Sequence, residues 1–176
     1  MMDAPAVESA LARMAGQILE QADGTDRLAL VGIHRRGIHL AARLAEEIRR
    51  LRGVPVPTGS LDITLYRDDL MTVGPRPVVG PTILPDGGID ERVVVIVDDV
   101  LYTGRTVRAA LDELADFGRP RRTLLCVLVD RGERELPIQP DIVGERVTVP
   151  AGGRVEVLVP ELDGRLGVEI VGGESA

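Results

Sequence analysis

Five consecutive β-branched residues, Val93-Val94-Val95-Ile96-Val97, run straight into two aspartates. Such a run, with no polar alternation, predicts a central strand covered on both faces. Val107, Ala110, Leu111 and Leu114 follow at helical spacing, so a helix begins soon after the acids and ends at Gly118. A strand, an acid pair, a short loop and a helix fit an open α/β sheet, whose ligands bind at the carboxyl ends of the strands. Asp98 and Asp99 then face the ligand. Neighbouring carboxylates suit the adjacent hydroxyls O2 and O3 of a ribose, and a divalent cation beside them. In Val100-Leu101-Tyr102-Thr103-Gly104-Arg105-Thr106 the backbone N–H groups, the Thr103 and Thr106 hydroxyls and the helix dipole form an anion cradle. Gly104 lets backbone approach a phosphate. Diol reader and cradle lie about the span of a ribose 5-phosphate apart. Aspartates that merely cap a helix would not account for thirteen consecutive fitting positions, 94–106.

The rest of the chain supplies alternating elements. Val7, Leu11, Met14 and Ile18 predict a helix over 5–22, closed near Gly24. Residues 28–33 form a short apolar strand. Leu40, Leu44, Ile48 and Leu51 mark a second helix, stopped by Gly53. Val54–Thr64 reads as a strand, 73–90 as a Gly- and Pro-rich functional loop, and Thr123–Val129 as the next strand. Short strands are expected at Val147–Val149, Arg154–Val159 and Val168–Val171. The order implies a mainly parallel sheet flanked by helices, with a late antiparallel portion, in a single domain over 1–176.

Composition excludes several classes. The 176 residues carry a net charge of −7, so nucleic acid would need a local basic patch. All 21 cationic residues are arginines, which removes lysine chemistry and the Walker A loop. The guanidinium fork becomes the only strong anchor for phosphate. Gly32…Gly37 lacks the dinucleotide fingerprint. Cys126, the only cysteine, reads as a buried strand residue, and an internal disulfide is impossible. His34 and His39 have no partnered nucleophile and read as loop or surface residues. No apolar run approaches the roughly 20 residues of a membrane helix, and the acidic Met1–Ala10 has no secretion-type core. No membrane partner is expected, and a cytoplasmic location is.

The 94–106 segment resembles the diphosphoribosyl-binding motif of the type I phosphoribosyltransferases. Ile63–Leu70, Leu128–Gly132, Gly118-Arg119-Pro120 and Arg134–Ile138 are similar to its branch of pyrimidine-operon regulators that are also uracil phosphoribosyltransferases. The similarity spans about residues 5 to 171. It implies the type I fold with a small C-terminal β hood. The implied activity is transfer from 5-phosphoribosyl-1-diphosphate to uracil, giving UMP, with Mg²⁺ at Asp98 and Asp99.

Further roles come with the resemblance. Gly32-Ile33-His34-Arg35-Arg36-Gly37 falls where the family grips diphosphate. Arg36 would hold the leaving group, and Arg35 adds a cation where the family usually has Thr. A flexible active-site loop is expected over about 66–90, with Arg67 either reaching diphosphate or pairing with Asp68 or Asp69. The base would lie near Arg131 and Val155, and Tyr102 stands where purine enzymes commonly carry Asp. A homodimer or higher homo-oligomer is expected. So is a messenger RNA partner, although the basic face is eroded: Gln139 and Glu145 replace expected cations, Glu133 replaces His, and only Arg13 and Arg146 remain. A UMP sensor with little turnover is the competing reading of the same pocket.

Overall fold

In this computed structural model residues 1–63 and 82–173 are described. Helix α1, Ala4–Gln21, starts at Asp3, whose Oδ1 accepts the Ala6 N–H at 3.0 Å. Strand β1 (Leu28–Ile33) leads to helix α2 (Arg36–Arg52), which stops at a left-handed Gly53. Strand β2 (Thr58–Leu61) is followed by β3 (Val93–Leu101), helix α3 (Arg105–Phe117), and strands β4 (Arg122–Asp130) and β5 (Ile142–Arg146). A ribbon of β6 (Gly153–Leu158) and β7 (Gly167–Gly172), with the short helix α4 (Pro160–Asp163) between them, closes the fold.

The main sheet has the order β2-β1-β3-β4-β5, and every neighbour is parallel. β3 lies in the middle, as its apolar run predicts. Alternate residues feed two cores. Val93, Val95 and Val97 join α1, α2 and the ribbon, while Val94 and Ile96 pack with Val107, Ala110 and Leu114 of α3. Strand order reverses between β1 and β3, and that switch point is where open sheets leave a crevice. The ribbon is antiparallel and docks through Val157, Val159 and Val168. Met2 pairs with Val168 across an isolated bridge.

The structure corrects several boundaries. The Val54–Thr64 expectation shortens to Thr58–Leu61, because Pro55 and Pro57 have no N–H to donate to a ladder. Val147–Val149 is not a strand. The edge strand lies earlier, at Ile142–Arg146, where pairing with β4 alone permits a polar, Gly-containing sequence. Leu51 and Leu111, assigned to apolar faces, are exposed, and Ala109 takes the buried place on α3. Within 73–90, Ile83 makes an antiparallel bridge to Ser60. The remainder of that loop up to residue 81, with Thr64–Leu70 and therefore Arg67, lies outside the described residues. No helix of the described residues is long and apolar enough to cross a membrane.

Two glycines test this packing in opposite directions. A Cβ on Gly32 would stand 2.5 Å from the Gly37 carbonyl oxygen, whereas one on Gly16, inside α1, would meet nothing within 4 Å. In urea unfolding, Gly16→Ala should stabilise the protein by about 0.5–1 kcal/mol, and Gly32→Ala should destabilise it by about 1–3 kcal/mol. Cys126 is fully buried, and burial pushes its thiol pKa well up. A thiol reagent at pH 8 should leave the native protein unmodified and label one cysteine per chain in guanidinium.

Candidate functional site

Two loops meet at the switch point. After β3, Asp98 is buried to 6% exposure, and its Oδ1 accepts the Asp99 N–H at 2.9 Å. Asp99 Oδ1 accepts the Val100 N–H at 2.8 Å. Each carboxylate is thereby oriented by its own backbone at the end of the sheet. The turn Tyr102–Gly104 then enters α3. Thr103 Oγ1 accepts the Arg105 N–H at 3.3 Å, and Gly104 takes φ +96°, a conformation that only glycine adopts cheaply. N–H groups of the first turn of α3 therefore point out beside the acid pair. The Val100 side chain packs against the larger core and that of Leu101 is buried, which leaves their backbone as the part available to a ligand.

The second loop joins β1 to α2 and contains a cis peptide between His34 and Arg35. Gly37 opens α2 so close to β3 that a Cβ there would lie 2.5 Å from the Val97 carbonyl oxygen. This approach sets the β1–α2 loop against the acid pair. Arg35 is exposed, whereas Arg36 donates to Asp163 Oδ1 of α4 at 2.8 Å. His39 sits near Glu161 at 3.9 Å, which agrees with its reading as a surface residue. His34 lies in the β1–α2 loop, within its reading as a loop or surface residue, and its Nε2 is buried without a partner among the described residues.

A third wall comes from Asp130–Ile138 and the ribbon. The Arg131 guanidinium stacks over the Tyr102 ring at 3.9 Å from the centroid. It also donates to the Gly153 carbonyl of β6 at 3.4 Å and to Glu133 at 3.0 Å. Val155, two residues on in β6, is partly buried against the larger core. Arg131, which the resemblance places near the base together with Val155, thus stacks on Tyr102 and is bonded to β6, the strand that carries Val155.

No spacing in the sequence announces the bracing beneath the cradle. Asp130, 5% exposed, pairs with Arg134 and Arg146, both at 2.8 Å. Arg134 also donates to the Tyr102 carbonyl at 3.0 Å and to the Ile138 carbonyl at 2.8 Å, locking the cradle's underside. Arg105 pairs with Glu135 at 2.7 Å. Asp163 was equally unforeseen, since nothing in its spacing links it to Arg36. Of the cations on the expected RNA face, Arg146 is held by Asp130, and Arg13 donates to the Val143 and Gly144 carbonyls at 3.2 and 2.6 Å.

Among the described residues no group of three or more acidic, His or Cys side chains forms a metal cage. Two adjacent carboxylates nonetheless fit Mg²⁺, a hard ion that usually takes one or two carboxylates together with substrate oxygens.

Known proteins resemble this chain in sequence or in fold. The phosphoribosyl transferase domain model matches residues 1–152. The bifunctional protein PyrR of Thermus aquaticus is 55% identical over 170 residues, covering 97% of this chain and 93% of its own. The PyrR of Herpetosiphon aurantiacus is 54% identical over 163 residues, covering 93% and 90%.

The chain belongs to the PyrR branch of the phosphoribosyltransferases.

Its fold is that of the wider family. Trypanosoma cruzi hypoxanthine phosphoribosyltransferase superposes with a TM-score of 0.74 at 19% identity, covering 97% of this chain and 93% of that one. A Bacillus anthracis hypoxanthine-guanine phosphoribosyltransferase superposes at 0.68 with 16% identity, covering 97% and 96%. This PyrR-family chain has that fold's parallel sheet with flanking helices, and carries a small antiparallel β pair near its C-terminus.

The Arg36–Asp163 pair makes a pH prediction. The Val159 N–H, and then Arg36, hold the Asp163 carboxyl below its ordinary pKa. A depressed folded-state pKa contributes stability above the unfolded value of about 4 and loses it as pH falls through the folded value. Asp163→Asn should therefore be less stable than the parent at pH 7. The gap should close in urea melts as pH falls below about 4.

Proposed function

We propose that this protein transfers ribose 5-phosphate from 5-phosphoribosyl-1-diphosphate to uracil, yielding UMP and diphosphate. The observation that carries the reading is the juxtaposition at the β1/β3 switch point. An oriented acid pair and an anion cradle follow one strand, and a glycine-closed, arginine-bearing loop follows the next. A donor with a phosphate at one end and a diphosphate at the other needs both.

Asp98 and Asp99 would hold the ribose hydroxyls, and with them Mg²⁺, which when bound neutralises charge on the diphosphate. Thr103, Gly104, Arg105 and Thr106 would hold the 5-phosphate on backbone N–H groups and hydroxyls. Arg35 and Arg36 would steady the departing diphosphate, and Arg67 is proposed to join them. As the bond from C1 to the diphosphate oxygen breaks, the sugar becomes an oxocarbenium-like cation. Uracil N1 then attacks C1 and its proton leaves. Tyr102 is no strong base at neutral pH, and an acidic pyrimidine NH does not need one. Positioning and charge stabilisation supply the rate, with no covalent enzyme intermediate. Arg131, stacked on Tyr102, and Val155 would bound the base.

The relatives are named bifunctional, and the second role we extend to this chain is UMP-responsive control of pyrimidine genes through messenger RNA. The internal engagement of Arg13 and Arg146 makes that role the weaker of the two. The expected setting is the cytoplasm, as one phosphoribosyltransferase domain over 1–176 in a homodimer or larger homo-oligomer.

A steady-state assay with Mg²⁺, the donor and each nucleobase in turn decides the matter. Uracil alone should release diphosphate, and an Asp98→Asn, Asp99→Asn double variant should lower kcat/KM by roughly 10²-fold or more. No turnover with any base, despite tight UMP binding, would replace the enzyme by a UMP sensor.

A further inference from the structure

Glu113 is the most deeply buried carboxylate of the described residues, 4% exposed on the inner face of α3. A buried acid is costly unless its oxygens are used. Oε1 accepts the Thr82 hydroxyl in a short hydrogen bond, while Oε2 is buried with no partner among the described residues. Thr82 Oγ1 in turn accepts the Asp62 N–H at 3.1 Å. That N–H belongs to the peptide group whose carbonyl is Leu61 O, and Leu61 O accepts the His34 N–H at 3.0 Å. The bonds form one directed relay, from the His34 N–H through the 61–62 peptide and the Thr82 hydroxyl to Glu113. Donors and acceptors alternate along it, so each bond polarises the next.

The ends of the relay matter. His34 precedes Arg35 and Arg36 in the β1–α2 loop, and Glu113 is on the helix whose first turn is the phosphate cradle. We infer that Thr82 and Glu113 are positioning residues that fix the distance between the β1–α2 loop and the cradle, and so the fit of a donor charged at both ends. Burial raises the Glu113 pKa, and the neighbouring carboxylates of Asp62 and Asp116 add to that effect. The Thr82 hydroxyl and the His34 imidazole oppose it. Nothing in local packing requires a charged group at 113, since Ala109, Ala110 and Leu114 already line that face.

The inference rests on the proposed donor site, and its test separates the two. UMP, charged at one end, needs the cradle alone, whereas the diphosphoribosyl donor needs both loops. Calorimetry with Mg²⁺ should therefore be run with each ligand on the parent protein, Thr82→Val, Thr82→Ser and Glu113→Gln. Thr82→Val and Glu113→Gln should weaken the donor about tenfold and leave UMP within about twofold, with Thr82→Ser close to the parent. Equal losses for both ligands, or no loss for either, would overturn the relay while leaving the function intact. A parent protein that binds neither ligand would overturn the function and the relay together. Should Glu113→Gln fail to fold, the Thr82→Val and Thr82→Ser pair discriminates among the same outcomes.

Discussion

A parallel sheet must be covered on both faces, and that requirement disposes everything else in this molecule. With β3 sealed between α2 and α3, its residues have no contact with water until the strand runs out. The first place a carboxylate can stand is the carboxyl edge, and Asp98 and Asp99 stand there. The same edge receives the N-termini of α2 and α3, because each parallel strand must be followed by a helix running back. Polar chemistry is thus confined to one rim. The close approach at Gly32 and Gly37 brings the β1–α2 loop up to that rim.

Charge at the rim is arranged in pairs rather than as a field. The chain is acidic overall, yet Arg36, Arg105, Arg131 and Arg134 each hold a carboxylate. Pairs of this kind orient planar guanidinium groups at little cost in long-range repulsion. The buried Asp130 carries the most. It takes Arg134 and Arg146 together with the Gly132 N–H at 3.0 Å, and so ties the strand end, the following loop and β5 into one unit. Removing one member of a buried set strands the others, which is why such sets behave as one structural part.

The parts of this design visible in the sequence are those written in local pattern. The uninterrupted run before Asp98 pointed to a central strand, Gly53 and Gly118 pointed to helix ends, and helical spacing pointed to α1, α2 and α3. Edge elements were less legible. β5 is half-exposed and polar, so its Ile142-Val143-Gly144-Glu145-Arg146 carries little periodic signal. Long-range partners were not legible at all, since no spacing connects Arg36 to Asp163 or Thr82 to Glu113. One clue was available: position 113 lies on the buried stripe defined by Ala109 and Ala110, so a glutamate there was already out of place in a helix core. His34 is a loop residue, as read, but the burial of its Nε2 was not legible from spacing.

An arginine that already holds an internal carboxylate is a selective cation. Asp163 is tethered beside Arg36, so any anion taken up by that arginine would have to compete with a neighbour at high local concentration. A single phosphate in solution, with one attachment point, competes poorly. A diphosphate anchored elsewhere through its sugar competes from an equally local position. Discrimination between substrate and the free phosphate of a cell would then reside in this exchange of partners, with the displaced carboxylate keeping the Val159 N–H as its remaining anchor.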